Sequence, residues 1–181
     1  MLYDGIGLPS HVRSEMKPRT SPLFLLAALA GWPAVCAAST IFTVLLRRHQ
    51  SLGSSLSLIG VQAFGGLVAV VVWLVLQKWW IARFKKPATR FILSFIALAA
   101  LTAGACAGIF ALQFWAYFRH WHEPIFSHIG LIQFVWTISA AIYQYAVLGV
   151  RQLVPLAMPA GAILSLLVND GLRIEAHGRI R

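Results

Sequence analysis

The sequence predicts an all-α fold: an integral membrane helical bundle of four transmembrane helices plus a fifth membrane-embedded apolar segment. Three observations carry that prediction. Four apolar runs contain no charged side chain, and each reaches the roughly 20 residues that carry a helix across a hydrocarbon core. Hydrophobic residues make up 59% of the chain and charged residues 11%, against roughly 45–50% and about 25% in ordinary globular domains. The basic residues fall in short clusters between the runs, as they do beside membrane spans.

Residues 1–22 form a tail that mixes Gly, Pro, Ser and charge; Arg13, Lys17 and Arg19 could contact anionic lipid, though solvation and orientation are reason enough for them. The first span is Leu23–Leu46. Basic residues before Leu23–Ala30 also resemble a signal peptide, and Ala34, Cys36 and Ala38 imitate a cleavage site. The apolar run continues through Ile41–Leu46, beyond the roughly 7–15 residues of a signal-peptide core, so a retained span is the better reading. The second, third and fourth spans are Leu56–Leu76, Phe91–Phe118 and Ile125–Val150. No water reaches the backbone inside lipid, so each of these runs must be helical.

The fifth run, Leu153–Val168, is shorter and holds Pro155 and Pro159. Ser165 is its only polar residue, which leaves no polar face for lying on a membrane surface. Two readings stand side by side: a fifth span after a tight turn at Arg151–Gln152, or a re-entrant segment. Pro155 suits a first helical turn, and Asn169-Asp170-Gly171 is a helix stop. The membrane domain is therefore 23–168, and 169–181 is a C-terminal tail.

Lys and Arg near the span ends set the orientation. The cluster Lys78, Arg83, Lys85, Lys86 and Arg90 dominates and puts the N-terminus on the cytoplasmic side. The outside then carries Arg47, Arg48 and Arg119. The layout is that of small multi-pass proteins of the bacterial inner membrane, an analogy of architecture alone. Membrane helices associate where small residues let backbones approach. Ala99, Ala103, Ala107 and Ala111, with Gly104 and Gly108, mark such a face on the third span, and Ala27, Gly31 and Ala34 mark one on the first. These two spans are expected to lie close together, with Gly60, Gly65 and Gly66 offering further contact. Cys36 and Cys106 lie within apolar runs and are expected to be inert.

Composition and charge also exclude functions. A net charge of +10 raises nucleic acid, but that needs a basic face or stripe, which is absent. No Asp, Glu, Lys, Arg or His sits in the interior of the four spans, whereas proton-coupled carriers and voltage sensors need intramembrane charge. No nucleophile elbow, phosphate loop or zinc-protease motif is present, so nothing nominates a catalytic residue.

The residues closest to chemistry gather at the outer face. His120, His122 and Glu123 end the third span, His128 begins the fourth, and His49 lies in the first outer loop. Imidazoles with a carboxylate suit a transition metal, and a haem or quinone is a further reading of the same cluster. The plainer reading is interfacial anchoring, with Pro124 starting the fourth helix. Below the histidines, Gln62, Gln113, Gln133 and Thr137 fall in the outer halves of their spans. They read either as interhelical hydrogen-bond glue or, with Trp115 and Trp136, as a polar pocket opening outward. The leading functional expectation is an accessory or assembly subunit acting through helix–helix contacts, in lipid, with a membrane-protein partner or as a homo-oligomer. The alternatives are an outer-face metal, haem or quinone protein, and a channel or carrier for an uncharged solute.

Overall fold

The computed structural model describes residues 22–46, 52–84 and 86–177. Every regular element among them is helical. Helix α1 spans Pro22–Leu46, α2 Leu52–Trp79, α3 Pro87–Phe118 and α4 His128–Gln144. A π turn over Tyr145–Gly149 leads into α5 (Val150–Leu153), and α6 (Ala157–His177) follows a turn. Leu23–Leu46, Ser55–Trp79, Pro87–Trp121 and His128–Leu153 are long and apolar enough to cross a membrane, and Ala157–Asn169 is a shorter apolar helix. The chain fits a multi-pass membrane protein in contact with a lipid bilayer. The N-terminal tail, with Arg13, Lys17 and Arg19, lies outside the described residues, as do Arg47, Arg48, His49 and Lys85.

The α2–α3 connection shows how local sequence sets the hairpin. A 3-10 turn over Ile81–Arg83 buries Ile81, and Lys86 stays extended as the N-cap. Pro87 then opens α3, where its missing N–H and fixed φ are harmless. The hairpin is held by the Trp73 indole N–H donating to the Ser94 carbonyl at 2.9 Å, and by Gln77 donating to the Ser94 hydroxyl.

Helix α2 is the packing centre for α1 and α3. A Cβ on Gly65 would stand 2.9 Å from the Cα and N of Cys106 on α3, and one on Gly66 would stand 3.0 Å from the Cys36 sulfur on α1. Two adjacent glycines therefore seat α2 against both neighbours. Gly31, Gly60, Gly104 and Gly108 have open space where a Cβ would go. Spans one and three do meet, through the Trp32 indole donating to the Thr102 hydroxyl at 3.1 Å, but not by the small faces expected of Gly31 and Gly104. A large ring reaching across replaces close backbone approach. The main apolar core gathers around this link, with Ala28, Trp32, Val70, Trp73, Leu98 and Leu153 among its buried members.

The segment after α4 follows a course the sequence did not suggest. Down α3, Trp115 packs against Phe134 at 5.7 Å and Phe110 against Tyr145 at 6.0 Å. Thr102 and Leu98 then share a crevice with Val150 and Leu153, and Gly161 faces Phe95. Partners thus advance along the chain as α3 is descended. Along α1, Ser39 meets Gln152 and Leu156, while Trp32 faces Gly161. Segments α4, π turn, α5 and α6 therefore descend one flank of the bundle in a single direction, bending at 154–156. The expected tight turn at Arg151–Gln152 is absent, because both residues are helical.

Candidate functional site

The His128 end of the bundle carries the predicted cluster. α3 closes in a 3-10 turn over Arg119–Trp121, and His122 is extended behind it, with φ −100° and ψ 150°. Ser127 caps α4, its hydroxyl accepting from the Gly130 N–H at 2.9 Å. A Cβ on Gly130 would lie 2.7 Å from the Pro124 carbonyl carbon, so only glycine lets the loop lie flat on the helix. The Glu123 N–H donates to Gln133 Oε1 at 3.0 Å, which fastens the same loop one turn further along.

An open recess results, lined by Trp115, Arg119, His120, His122, Glu123 and Gly130 among others. His128 is not in its lining, and His49 is outside the described residues. Among the described residues no three of His, Cys, Asp and Glu are grouped to hold a metal ion. The backbone explains this. A His-x-His pair shares one side only in an extended segment, and here His120 sits in a 3-10 turn with its Nδ1 3.4 Å from the Tyr117 carbonyl.

The glutamines do not line a common pocket. Gln62 is fully buried, Gln113 is exposed and accepts from Ser57 at 3.4 Å, and Gln133 holds the loop. Trp136 stands 78% exposed on the bundle exterior. Their roles are those of interhelical and loop-to-helix hydrogen bonding.

The structure instead concentrates polar chemistry along the irregular stretch 145–156. A π turn widens the helix there, a feature that occurs disproportionately at functional sites. The Tyr145 ring folds over Gly149, where a Cβ would be 2.6 Å from the ring's Cε2 and closer still to Cδ2. The Tyr145 hydroxyl donates to Gln62 Oε1 at 3.0 Å, and Gln62 Nε2 donates to the Gly149 carbonyl at 3.4 Å. One turn on, the Ser39 hydroxyl donates to the Gln152 carbonyl at 2.6 Å and accepts from the Leu156 N–H at 3.3 Å. It thereby occupies the broken i→i−4 step. An inserted side chain is a recognised cause of a sharp bend, and it satisfies backbone that lipid could not.

Arg151 lies inside this stretch, and its placement corrects a central expectation. The sequence put it in a link beyond the fourth span, leaving the spans free of charge. Its neighbours Val150 and Leu153 line the crevice with Trp32, Leu98 and Thr102, and Thr102 is at the midpoint of α3. Arg151 therefore sits at mid-height of the bundle, exposed on its exterior, with no hydrogen bond or ion pair to any described residue. The legible signal was the apolar run on both sides of it, which two prolines disguised. No family model matches the chain, and no curated protein or solved structure matches it either.

Proposed function

We propose that the protein is an accessory or assembly subunit of a membrane complex, and that it works by laying the outer face of α4 against a helix of a partner. The observation that carries the reading is Gln144, an amide exposed on a span with no hydrogen-bond partner among the described residues. A polar group facing hydrocarbon lacks the water that would satisfy it, and amides within membranes ordinarily bond across helices. Tyr143 beside it is 72% exposed. At a rise of about 1.5 Å per residue, Gln144 stands roughly 10 Å along the helix from Arg151, whose neighbours lie at mid-height of the bundle, and so stays within a hydrocarbon core about 30 Å thick. α4 itself packs mainly on α3, so its remaining surface is free for a second bundle.

The distribution of Lys and Arg supports a cytoplasmic N-terminus, and the compact multi-pass layout supports a bacterial inner membrane. Purification in mild detergent tests the reading. Expected is a complex larger than the 181-residue chain with its detergent, which Gln144→Leu with Tyr143→Leu disperses. A monodisperse monomer in native-lipid nanodiscs, unchanged by the double substitution, would overturn it.

A further inference from the structure

We infer that Arg151 pairs with a carboxylate carried inside a membrane span of a different protein, so that the docking helix is apolar with one acidic residue near its middle. This rests on the subunit reading above and adds the partner's chemistry to it.

The depth of Arg151 is the first ground. It lies within the helical stretch His128–Leu153, level with the Trp32–Thr102 link at the centre of the bundle. Arginines near helix ends reach the polar surface by snorkelling. From mid-height that surface is about 15 Å away in a hydrocarbon core about 30 Å thick, more than one side chain can span. A charge left there in lipid is costly, and such residues pair or line a polar path.

The second ground is that this chain holds no partner for it. Its acidic residues are Asp4, Glu15, Glu123, Asp170 and Glu175. Asp4 and Glu15 belong to the N-terminal tail, and Asp170 and Glu175 follow the last apolar run. Glu123 precedes α4 at the far end, in the recess already described. A second copy would bring the same set, so it too lacks a carboxylate at mid-height. The occupant must therefore be another protein.

The third ground is the setting. Tyr143 and Gln144 are exposed two turns earlier on the same broken helix, and both can donate or accept across an interface. A guanidinium presents its donors as a planar fork that matches a carboxylate with two parallel bonds. The three polar groups lie along one helix among exposed Val147, Leu148 and Val154, which is the surface an apolar helix with one acidic residue would complement.

The test is site-specific photo-crosslinking in cells with p-benzoylphenylalanine at Tyr143, followed by peptide identification and copurification. Expected is a crosslink to a span of another protein that holds Asp or Glu within an apolar run. Arg151→Gln should lower recovery of that complex by at least about tenfold, as for truncation of one member of a buried charge pair, and Arg151→Lys should retain most of it. Replacing the partner's carboxylate by its amide, against the unaltered chain, should reproduce the loss and so remove any doubt about folding of the arginine variant. A crosslinked span without a carboxylate, or a complex indifferent to Arg151→Gln and to the partner's amide, would overturn the inference while leaving the subunit reading intact. A crosslink only to a second copy would also overturn it. No protein crosslink at all, with a monomeric chain, would end both.

Discussion

Ser39 and Gln152, 113 residues apart, are joined by a hydrogen bond of 2.6 Å from hydroxyl to carbonyl. The carbonyl is one that a regular helix would offer to Leu156. Because Ser39 also accepts from the Leu156 N–H, one small side chain completes a step of a helix to which it does not belong. Pro155 and Pro159 lack the N–H groups that would otherwise continue the ladder, so this region depends on outside partners. Thr40 and Thr43, beside Ser39, return their hydroxyls to the carbonyls of Cys36 and Ser39 instead.

Ser39→Ala is accordingly expected to destabilise the bundle by about 1–3 kcal/mol, the range for leaving buried polar groups without partners. Equilibrium unfolding in mixed detergent micelles measures it. A midpoint equal to wild type would mean that the bend closes its own hydrogen bonds.

The glycines divide by what faces them. Gly65→Ala drives a methyl into the backbone of Cys106, which cannot rotate aside, and overpacking of that kind costs about 1–3 kcal/mol. Gly104→Ala meets open space and is expected to leave the stability of the isolated chain unchanged. Thermal unfolding of the two variants side by side tests the contrast, and equal losses would contradict it.

Gln62 and Tyr145 are expected to behave as a coupled pair. Gln62→Leu leaves the buried Tyr145 hydroxyl without its acceptor and the Gly149 carbonyl without its side-chain donor. Tyr145→Phe removes only the hydroxyl. Since stranding a polar group is worse than deleting both partners, the double variant should lose less than the sum of the singles. A double-mutant cycle reads the difference, expected near 0.5–1.5 kcal/mol on the scale of about one hydrogen bond. Strict additivity would contradict the pairing.

A continuous fourth helix also fixes topology. Reporters fused before Met1 and after Arg181 should report the same side of the membrane, because α6 prolongs the direction of α4. Opposite sides would mean that the chain turns back after Leu153.

Much of this was legible in the sequence. Length and the absence of charge marked the four spans, and the helices exceed the apolar runs only by turns that reach the interface, as at Ser55 and Trp79. Other features were hidden for physical reasons. Pro155, Pro159 and the polar pair Arg151–Gln152 read as a loop, since local propensity cannot register that a serine more than a hundred residues earlier satisfies the bend. Gly31 and Gly104 looked like contact faces because periodicity gives spacing but not the azimuth of a neighbour. At the His128 end of the bundle, proximity in sequence carries over into space for His120, His122 and Glu123, which line one recess. His128 was drawn away by the helix start that Ser127 imposes.

The bent fourth helix has a consequence for biogenesis. His128–Leu153 has the lowest mean hydropathy of the four spans, and it includes an arginine, a residue whose insertion into a bilayer is disfavoured. It is also the last span to be synthesised. By the time it emerges, the Ser39 hydroxyl and the Gln62 amide already stand in the membrane on α1 and α2. Order of translation thus supplies what apolarity does not: the first three helices form a receptor for the fourth. Spans one to three are expected to insert on their own strength, whereas the fourth enters the bilayer as a ligand of the others.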